Sequence, residues 1–368
     1  MGITALQEHG EGLGATGVGE YRGASTAARF GDPQAEFKTI RSGCGVYDLG
    51  FRAKVSLTGG DRRRWLNGMV TNNIRDLVVG QGVYAFLLNP QGRILGDLYA
   101  YNRGESIEIE TDRGQAEKIL ATFDHYIIMD DVEVANLSEQ WTALGIAGPK
   151  SGDVLAAAGL VIPAMEALQV QSLMWQGTEC TVVRGENQDH VSYEIWLAPA
   201  SVRQLWDALL AAGAAPVGSD ALELHRIVSG IPRYGVDIRE RDLPQETEQA
   251  RALNFNKGCY VGQEIVERIR SRGTVHRKFT GFLVDGMAEI AAGTKVVAAE
   301  KEVGEITSAA SLQFSGASKT VALGYIRREV GVPGREVIAG AAKATVIQLP
   351  VADSVLLQGE RSLEQYPA

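Results

Sequence analysis

The sequence predicts an α+β fold that ends in a small β-barrel. Three observations predict it. Up to about Gly273, short strand-like and helix-like runs alternate without the regular strand–helix–strand rhythm of a parallel sheet. After His276 the helical pattern stops, and short apolar runs recur between glycine-bearing turns. The chain has 368 residues, 45% hydrophobic and 22% charged, which suits two or three ordinary globular domains. The expected divisions are a flexible N-terminal arm at 1–31, an α+β domain at 32–273, a barrel at 274–350 and a tail at 351–368.

Residues 1–31 hold eight glycines, hence the arm. Within them Gly12-Leu13-Gly14-Ala15-Thr16-Gly17 matches G-x-G-x-x-G, but no strand precedes it, and a dinucleotide fingerprint needs one. Val55 and Leu57 alternate in a strand at 54–58. Asp61 stands at the N-cap position of a helix carrying Trp65, Leu66 and Met69. Strands are expected at 84–88, 94–102, 106–111, 132–137, 141–146, 180–183 and 193–198. Asn89-Pro90-Gln91-Gly92 reads as a turn. Helices are expected at 114–123, 149–159, 200–212 and 219–229; in the third, Val202, Leu205, Trp206, Leu209 and Leu210 share one side. Barrel strands are expected at 279–284, 294–299, 303–308, 321–326 and 336–347. The join falls in the basic run Arg268, Arg270, Arg272, Arg277 and Lys278, which reads as a solvated linker or as a site for a polyanionic partner.

Acidic residues outnumber basic ones, 45 to 36, for a formal charge of −9. That argues against a broad nucleic-acid surface. Cys44, Cys180 and Cys259 form neither a disulfide framework nor a zinc-site spacing, the usage of a reducing compartment. The N-terminus lacks a secretory h-region, and no apolar run reaches the ~18–20 residues of a membrane span. A cytoplasmic monomer without membrane contact is expected. No P-loop, G-x-S-x-G, H-E-x-x-H or metal-ligand cluster is present.

The densest chemistry lies in Lys257, Gly258, Cys259, Tyr260, Val261, Gly262, Gln263 and Glu264. A helical pattern over 261–270 begins just after Cys259. A helix N-terminus and the Lys257 cation both favour a thiolate, and Gly258 and Gly262 permit a tight turn. Free cysteines are also among the most buried residues, so Cys259 and Tyr260 read equally as core plugs. In 94–102, period-two alternation sets Asp97 beside Leu95, Tyr99 and Tyr101, either as an edge position or as a placed acid. Glu194 and Trp196 share a strand face. Such a pair suits a flat heteroaromatic ligand with two adjacent N–H donors, or is a plain solvent-facing pair. Arg226, on the 219–229 helix, could clamp a ligand carboxylate or sit among surface acids such as Glu223.

The 257–264 segment resembles the K-G-C-Y-x-G-Q-E signature of the YgfZ family, folate-binding proteins implicated in iron–sulfur enzyme maintenance. Blocks at 45–73, 84–101, 193–210 and 222–238 are similar to the wider family of the glycine-cleavage T-protein, an aminomethyltransferase. Gly304-Glu305-Ile306-Thr307-Ser308 resembles that family's G-x-[VI]-T-S barrel turn. The resemblance covers roughly 35–350. It implies a folate-binding domain of two sheet–helix lobes followed by a β-barrel, with tetrahydrofolate or a one-carbon derivative as cofactor. It places Glu194 at the pterin, with Trp196 beside it on the strand as a ring to stack, Arg226 in the L-R-x-E-A-G segment, and Asp97 at the catalytic acid. Gly96 stands where transferases have a second acid. Transferases carry a D-x-F-I-G-[KR]-E-type segment where this chain has Cys259.

The resemblance therefore implies a tetrahydrofolate-binding factor that supports iron–sulfur enzymes or their assembly proteins. Cys259, Lys257 and Asp97 would be its reactive groups. The alternatives are a tetrahydrofolate-dependent aminomethyltransferase using Asp97, and a non-catalytic scaffold on the same fold.

Overall fold

The structure is a computed structural model that describes residues 2–10, 12–186, 191–273, 275–286, 289–314 and 317–352. It divides into two compact units, each drawn from three stretches of chain. Unit 1 comprises Met1–Leu88, Leu95–Leu222 and Arg251–Val261; unit 2 comprises Asn89–Ile94, Glu223–Ala250 and Gly262–Ala368. The expected single boundary at 273 is thus replaced by an interleaved chain. Local composition marks the basic run there but carries no record of long-range contacts.

Unit 1 contains the two sheet–helix lobes. The first has a five-stranded sheet in the order Gly82–Leu88, Ile94–Asn102, Ile107–Asp112, Arg52–Thr58, Glu133–Asn136. The helices Arg62–Met69 and Arg113–Tyr126 pack on it through Trp65, Leu66, Met69, Ile119 and Phe123. Their apolar residues recur three and four apart, which makes one buried stripe per helix. The second lobe has a six-stranded sheet in the order Val170–Trp175, Thr178–Arg184, Ser192–Leu197, Thr142–Ala147, Gly45–Asp48, Ala215–Pro216. Helix Pro199–Ala211 covers it, with Pro199 in its first turn and Val202, Leu205, Trp206 and Leu209 buried.

Residues 1–31 are not a flexible arm. Strands Gly2–Ile3, Ala24–Arg29 and Gly17–Tyr21 form a three-stranded sheet. Leu6 and Leu13 are buried in the second lobe's core with Trp206. Thr4 donates to Asp48, and Thr26 Oγ1 donates to the same carboxylate at 3.0 Å. Two well-spaced leucines and a buried acid outweigh the glycine content.

In unit 2 the barrel is closed. Its strand order is Arg277–Val284, Ala317–Arg327, Lys301–Phe314, Lys295–Ala298, Glu336–Ala339, Ala342–Ile347, and the last pairs back with the first. The expected strand at 336–347 is a hairpin, reversed at Gly340 with φ 62°. Phe282, Val296, Ile306, Ile326, Val337 and Val346 fill the barrel. The 304–308 segment is not a turn. It lies inside a strand whose register shifts between Ile306 and Ser308, a β-bulge at Thr307. Of the expected tail, 353–368 lies outside the described residues; Val351 is buried and donates its N–H to the Val228 carbonyl.

Candidate functional site

Strand Ile94–Asn102 carries Asp97 at a half-buried position. Tyr84 Oη donates to Asp97 Oδ2 at 2.6 Å and Gln115 Nε2 donates to Oδ1 at 2.8 Å. Gln115 Oε1 accepts the Asp97 N–H at 3.0 Å, so one amide grips both backbone and carboxyl. Gly96 leaves room for this grip, since a Cβ there would lie 3.1 Å from Gln115 Oε1, closer than an ordinary contact. Burial, and then the nearby Asp112, push the Asp97 carboxyl above the usual carboxylate range.

Four aromatic rings run from Asp97 to Glu194. Tyr84 and Tyr99 have centroids 5.0 Å apart, Tyr99 and Tyr101 6.3 Å, and Tyr101 and Trp196 5.5 Å. Trp196 Nε1 donates to Glu194 Oε2 at 3.1 Å. The carboxylate–indole pair expected on Ser192–Leu197 therefore exists and is joined to Asp97 through this ladder. At the Tyr84 end, the Arg251 guanidinium lies 4.4 Å from the ring centroid and pairs with Glu186.

Behind Glu194 lies a charge network. Strand Arg52–Thr58 runs antiparallel to Ile107–Asp112, with Arg52 opposite Asp112 and Lys54 opposite Glu110. Lys54 donates to Glu110, Arg52 pairs with Glu110 and Asp112, and Arg22 Nη1 reaches Asp112 at 3.2 Å. Lys54 Nζ stands 4.4 Å from the Trp196 ring centroid. Burial opposes ionisation of Glu110, but Lys54 and Arg52 override it and hold Glu110 below its usual range. Burial, and then the adjacent Glu110, push Glu194 the other way. Neither Lys54 nor Glu110 was expected from the sequence. The signal was available as two matched alternations of opposite charge, Arg52/Lys54 and Glu110/Asp112.

The 257–264 segment divides its labour. Lys257 is buried, and its amino group donates to the carbonyls of Asn67, Val70 at 2.6 Å and Asn72 at 2.9 Å. These carbonyls lie around the C-terminal end of helix Arg62–Met69, where carbonyls lack intrahelical partners. Three acceptors match the three protons of an ammonium. The expected reactive role of Lys257 is corrected: its donors cap a helix rather than serve the thiol, and burial pushes it down to about 7. Tyr260 is buried beside it, and Val261 N donates to the Gly68 carbonyl at 3.0 Å. Cys259 is exposed, so it is no core plug, while Cys44 and Cys180 are buried. The following helix is Gln263–Arg272, two residues later than expected, entered through Gly262 at φ 81°. Gly258 lacks a positive φ, and a Cβ there would meet open space, so only Gly262 is needed for the turn.

Arg226 is also corrected. It is buried in unit 2, where Nε and Nη2 donate to Glu223, Nη1 to the Ile231 carbonyl and to Asp237 at 2.6 Å, and Nη2 to Ser308 Oγ at 2.9 Å. Those contacts use all five guanidinium donors, which leaves none for a ligand carboxylate. Among the described residues no group of three or more His, Cys, Asp or Glu side chains is placed to hold a metal, and no helix is long and apolar enough to cross a membrane.

The sequence profile of the GCVT N-terminal domain matches residues 11–257. The chain belongs to this family. Among curated GCVT-type relatives, the aminomethyltransferase of Rubrobacter xylanophilus is 29% identical, over 89% of this chain and 87% of its own. The aminomethyltransferase of Herpetosiphon aurantiacus is 28% identical over 95% and 98%. The crystal structure of glycine cleavage system aminomethyltransferase T from Bartonella henselae superposes with a TM-score of 0.85 at 23% identity, covering 95% of this chain and 98% of that one. The α+β architecture with a C-terminal barrel is therefore that of the T-protein.

Proposed function

We propose that the chain binds a reduced folate, tetrahydrofolate or a one-carbon derivative, along the Tyr84–Tyr99–Tyr101–Trp196 ladder, and acts as an aminomethyl-type one-carbon transferase. The observation that carries this is Asp97, an acid held by Tyr84 and Gln115 with its proton affinity raised by burial. A general acid–base group works best when its proton affinity lies closer to the working pH. The donor set fits a pterin: Glu194 offers acceptors for adjacent N–H groups and the half-buried Tyr99 offers a ring, while Tyr101 and Trp196 are buried and back the site. A reduced folate, when bound, supplies the nitrogens that receive the one-carbon unit. Asp97 Oδ2 would hold or take up a proton from a folate amine, and Glu194 and the ladder would orient the ring. The relatives named as aminomethyltransferases support this reading over the others.

The test mixes purified chain with an aminomethylated lipoyl carrier and tetrahydrofolate. Ammonia release that disappears in Asp97→Asn supports the proposal; titration calorimetry showing no tetrahydrofolate binding sinks it.

One observation favours a second reading. Cys259 is exposed between two anchored residues, Lys257 and Tyr260, so the thiol is presented outward from a fixed base. Together with the YgfZ-like signature, this supports a role towards iron–sulfur enzymes or their assembly proteins. In cells lacking the native protein, Cys259→Ala would then fail to restore cluster-enzyme activity. Full restoration removes this reading and leaves the transferase reading intact.

A further inference from the structure

Arg277, from the basic run that leads into the barrel, opens strand Arg277–Val284 directly opposite Arg327 of strand Ala317–Arg327. Like charges in that arrangement destabilise a strand pair unless something compensates them. Arg277 is compensated: Nη2 donates to Asp242 Oδ1 at 2.6 Å and Nε to Glu246 Oε1 at 3.0 Å. Nη2 also donates to Glu246 Oε2 at 3.1 Å, so Nε and Nη2 are used and the two protons of Nη1 are left over. Arg327 is exposed and enters no ion pair among the described residues.

Tyr325 precedes Arg327 by two residues and so shares its side of the strand, while Ile326 between them points inward and fills the barrel. Tyr325 is 1% exposed, yet its hydroxyl has no hydrogen-bond partner among the described residues. The Arg277 guanidinium stands 4.7 Å from its ring centroid. Burial, and then Asp242, hold the phenol above its ordinary range, so it stays a donor at neutral pH. A buried hydroxyl left unpaired is costly, and in native proteins water or a ligand usually meets it.

These groups border a cavity of about 550 Å³ inside unit 2, whose lining includes Arg241, His276, Arg277, Glu305, Tyr325 and Arg327. Arg239 and Arg241 share Glu305, at 2.6 and 2.7 Å, and Lys295 takes Glu302 at 2.7 Å. Arg239, Arg241, Arg277 and Arg327 thus face Asp242, Glu246 and Glu305, one positive charge in excess on a chain whose formal charge is −9. The acids are already paired, and the donors left over belong to arginines and a phenol.

We propose that this cavity is a further ligand site, which takes the oxyanion of a small metabolite, a phosphate ester or a carboxylate, between Arg277 and Arg327. Nη1 of Arg277 and the hydroxyl of Tyr325 donate to the anion, and Arg327 and Arg241 supply the balancing charge. The volume exceeds that of a bare inorganic anion and suits a ligand with a short carbon skeleton. The site uses neither Asp97 nor Glu194, so it stands or falls apart from the folate reading.

The experiment is titration calorimetry of the full chain, at fixed ionic strength, with glycerol phosphate and with glutarate. Saturable binding of at least one, with about one ligand per chain, is expected; the tighter of the two identifies the anion as phosphate or carboxylate. Arg327→Gln should weaken binding about tenfold, the loss of one charged contact. Tyr325→Phe keeps the ring, removes the unpaired hydroxyl and should weaken binding about threefold. Arg335→Gln takes the same charge from an exposed residue outside the cavity and should leave affinity unchanged. No saturable heat with either ligand overturns the proposal. So does an equal loss in Arg335→Gln and Arg327→Gln, the mark of a general charge effect, or an affinity that survives both Arg327→Gln and Tyr325→Phe. The wild-type, Arg327→Gln and Arg335→Gln titrations decide the matter even if Tyr325→Phe does not fold.

Discussion

Replacing Arg226 with Met separates a structural arginine from a ligand-binding one. Its guanidinium is 4% exposed and faces Asp237, which is 0% exposed. Asp237 also receives the Arg233 N–H at 2.9 Å, the Ser308 hydroxyl at 2.7 Å and the Thr307 hydroxyl. Met leaves those three donors in place but strands a buried carboxylate without its cation, a change that costs ~3–5 kcal/mol. For a unit of this size each kcal/mol lowers the melting midpoint by ~2–4 °C, so the unit 2 transition should fall by on the order of 10 °C. Calorimetric scanning of the full chain reads this directly. Adding Asp237→Asn removes the stranded charge and should recover about half of the loss, a coupling of the size expected within one ion-pair network. Wherever the variant remains folded, its tetrahydrofolate affinity should match wild type. An unchanged melting profile with lost tetrahydrofolate affinity would refute the structural assignment and restore the ligand role first expected for this residue.

Lys257→Met leaves three carbonyls near a helix end without their shared donor and should destabilise unit 1 by ~2–4 kcal/mol in urea unfolding. Because Lys257 sits at about 7 in the folded chain against 10.5 for an unperturbed lysine, the folded state sheds its proton first. Wild-type stability should therefore climb between about pH 7 and 10.5, a slope the Met variant lacks. Thiol labelling of native wild type should modify Cys259 rapidly and spare Cys44 and Cys180 until denaturant is added; two or three fast-reacting thiols would contradict their burial. Asp97→Asn should raise the melting temperature at neutral pH while abolishing ammonia release, since the raised proton affinity of Asp97 makes its charged form a cost to folding above its folded pKa. Gly96→Ala should push Gln115 off Asp97 and cut turnover about tenfold with little change in tetrahydrofolate affinity; equal turnover would show that the Gln115 grip is dispensable.

The residues that sequence reasoning located best share a strand and a short period. Asp97 stands among Tyr99 and Tyr101, and Glu194 stands beside Trp196, because alternation is a local property of a pleated strand. Arg226 misled because its decisive partners, Asp237 and Ser308, lie 11 and 82 positions away. Glu110 was invisible for a related reason. Alternating acids on a strand read as a solvated face until the neighbouring strand is known to present Arg52 and Lys54 in register. The N-terminal glycines suggested mobility, and the three-stranded sheet and the burial of Leu6 and Leu13 in one core with Trp206 show otherwise. The eight-residue signature was conspicuous, yet its lysine and tyrosine are buried while its thiol is exposed.

The Lys257 cap has a consequence for how the chain is made. The three carbonyls it serves lie 190, 187 and 185 positions earlier, so the bonds that finish the first lobe of unit 1 wait until residue 257 has left the ribosome. Until then the end of helix Arg62–Met69 stays unsatisfied. Contacts of such long sequence separation slow folding, because the intervening chain must be ordered before any bond repays it. A nascent chain stalled at residue 250 would hold Asp97 and Glu194 but lack both Arg251 and the Lys257 strut. Its first lobe would lack the three bonds at the end of that helix, and the 257–264 segment would be the latch that supplies them.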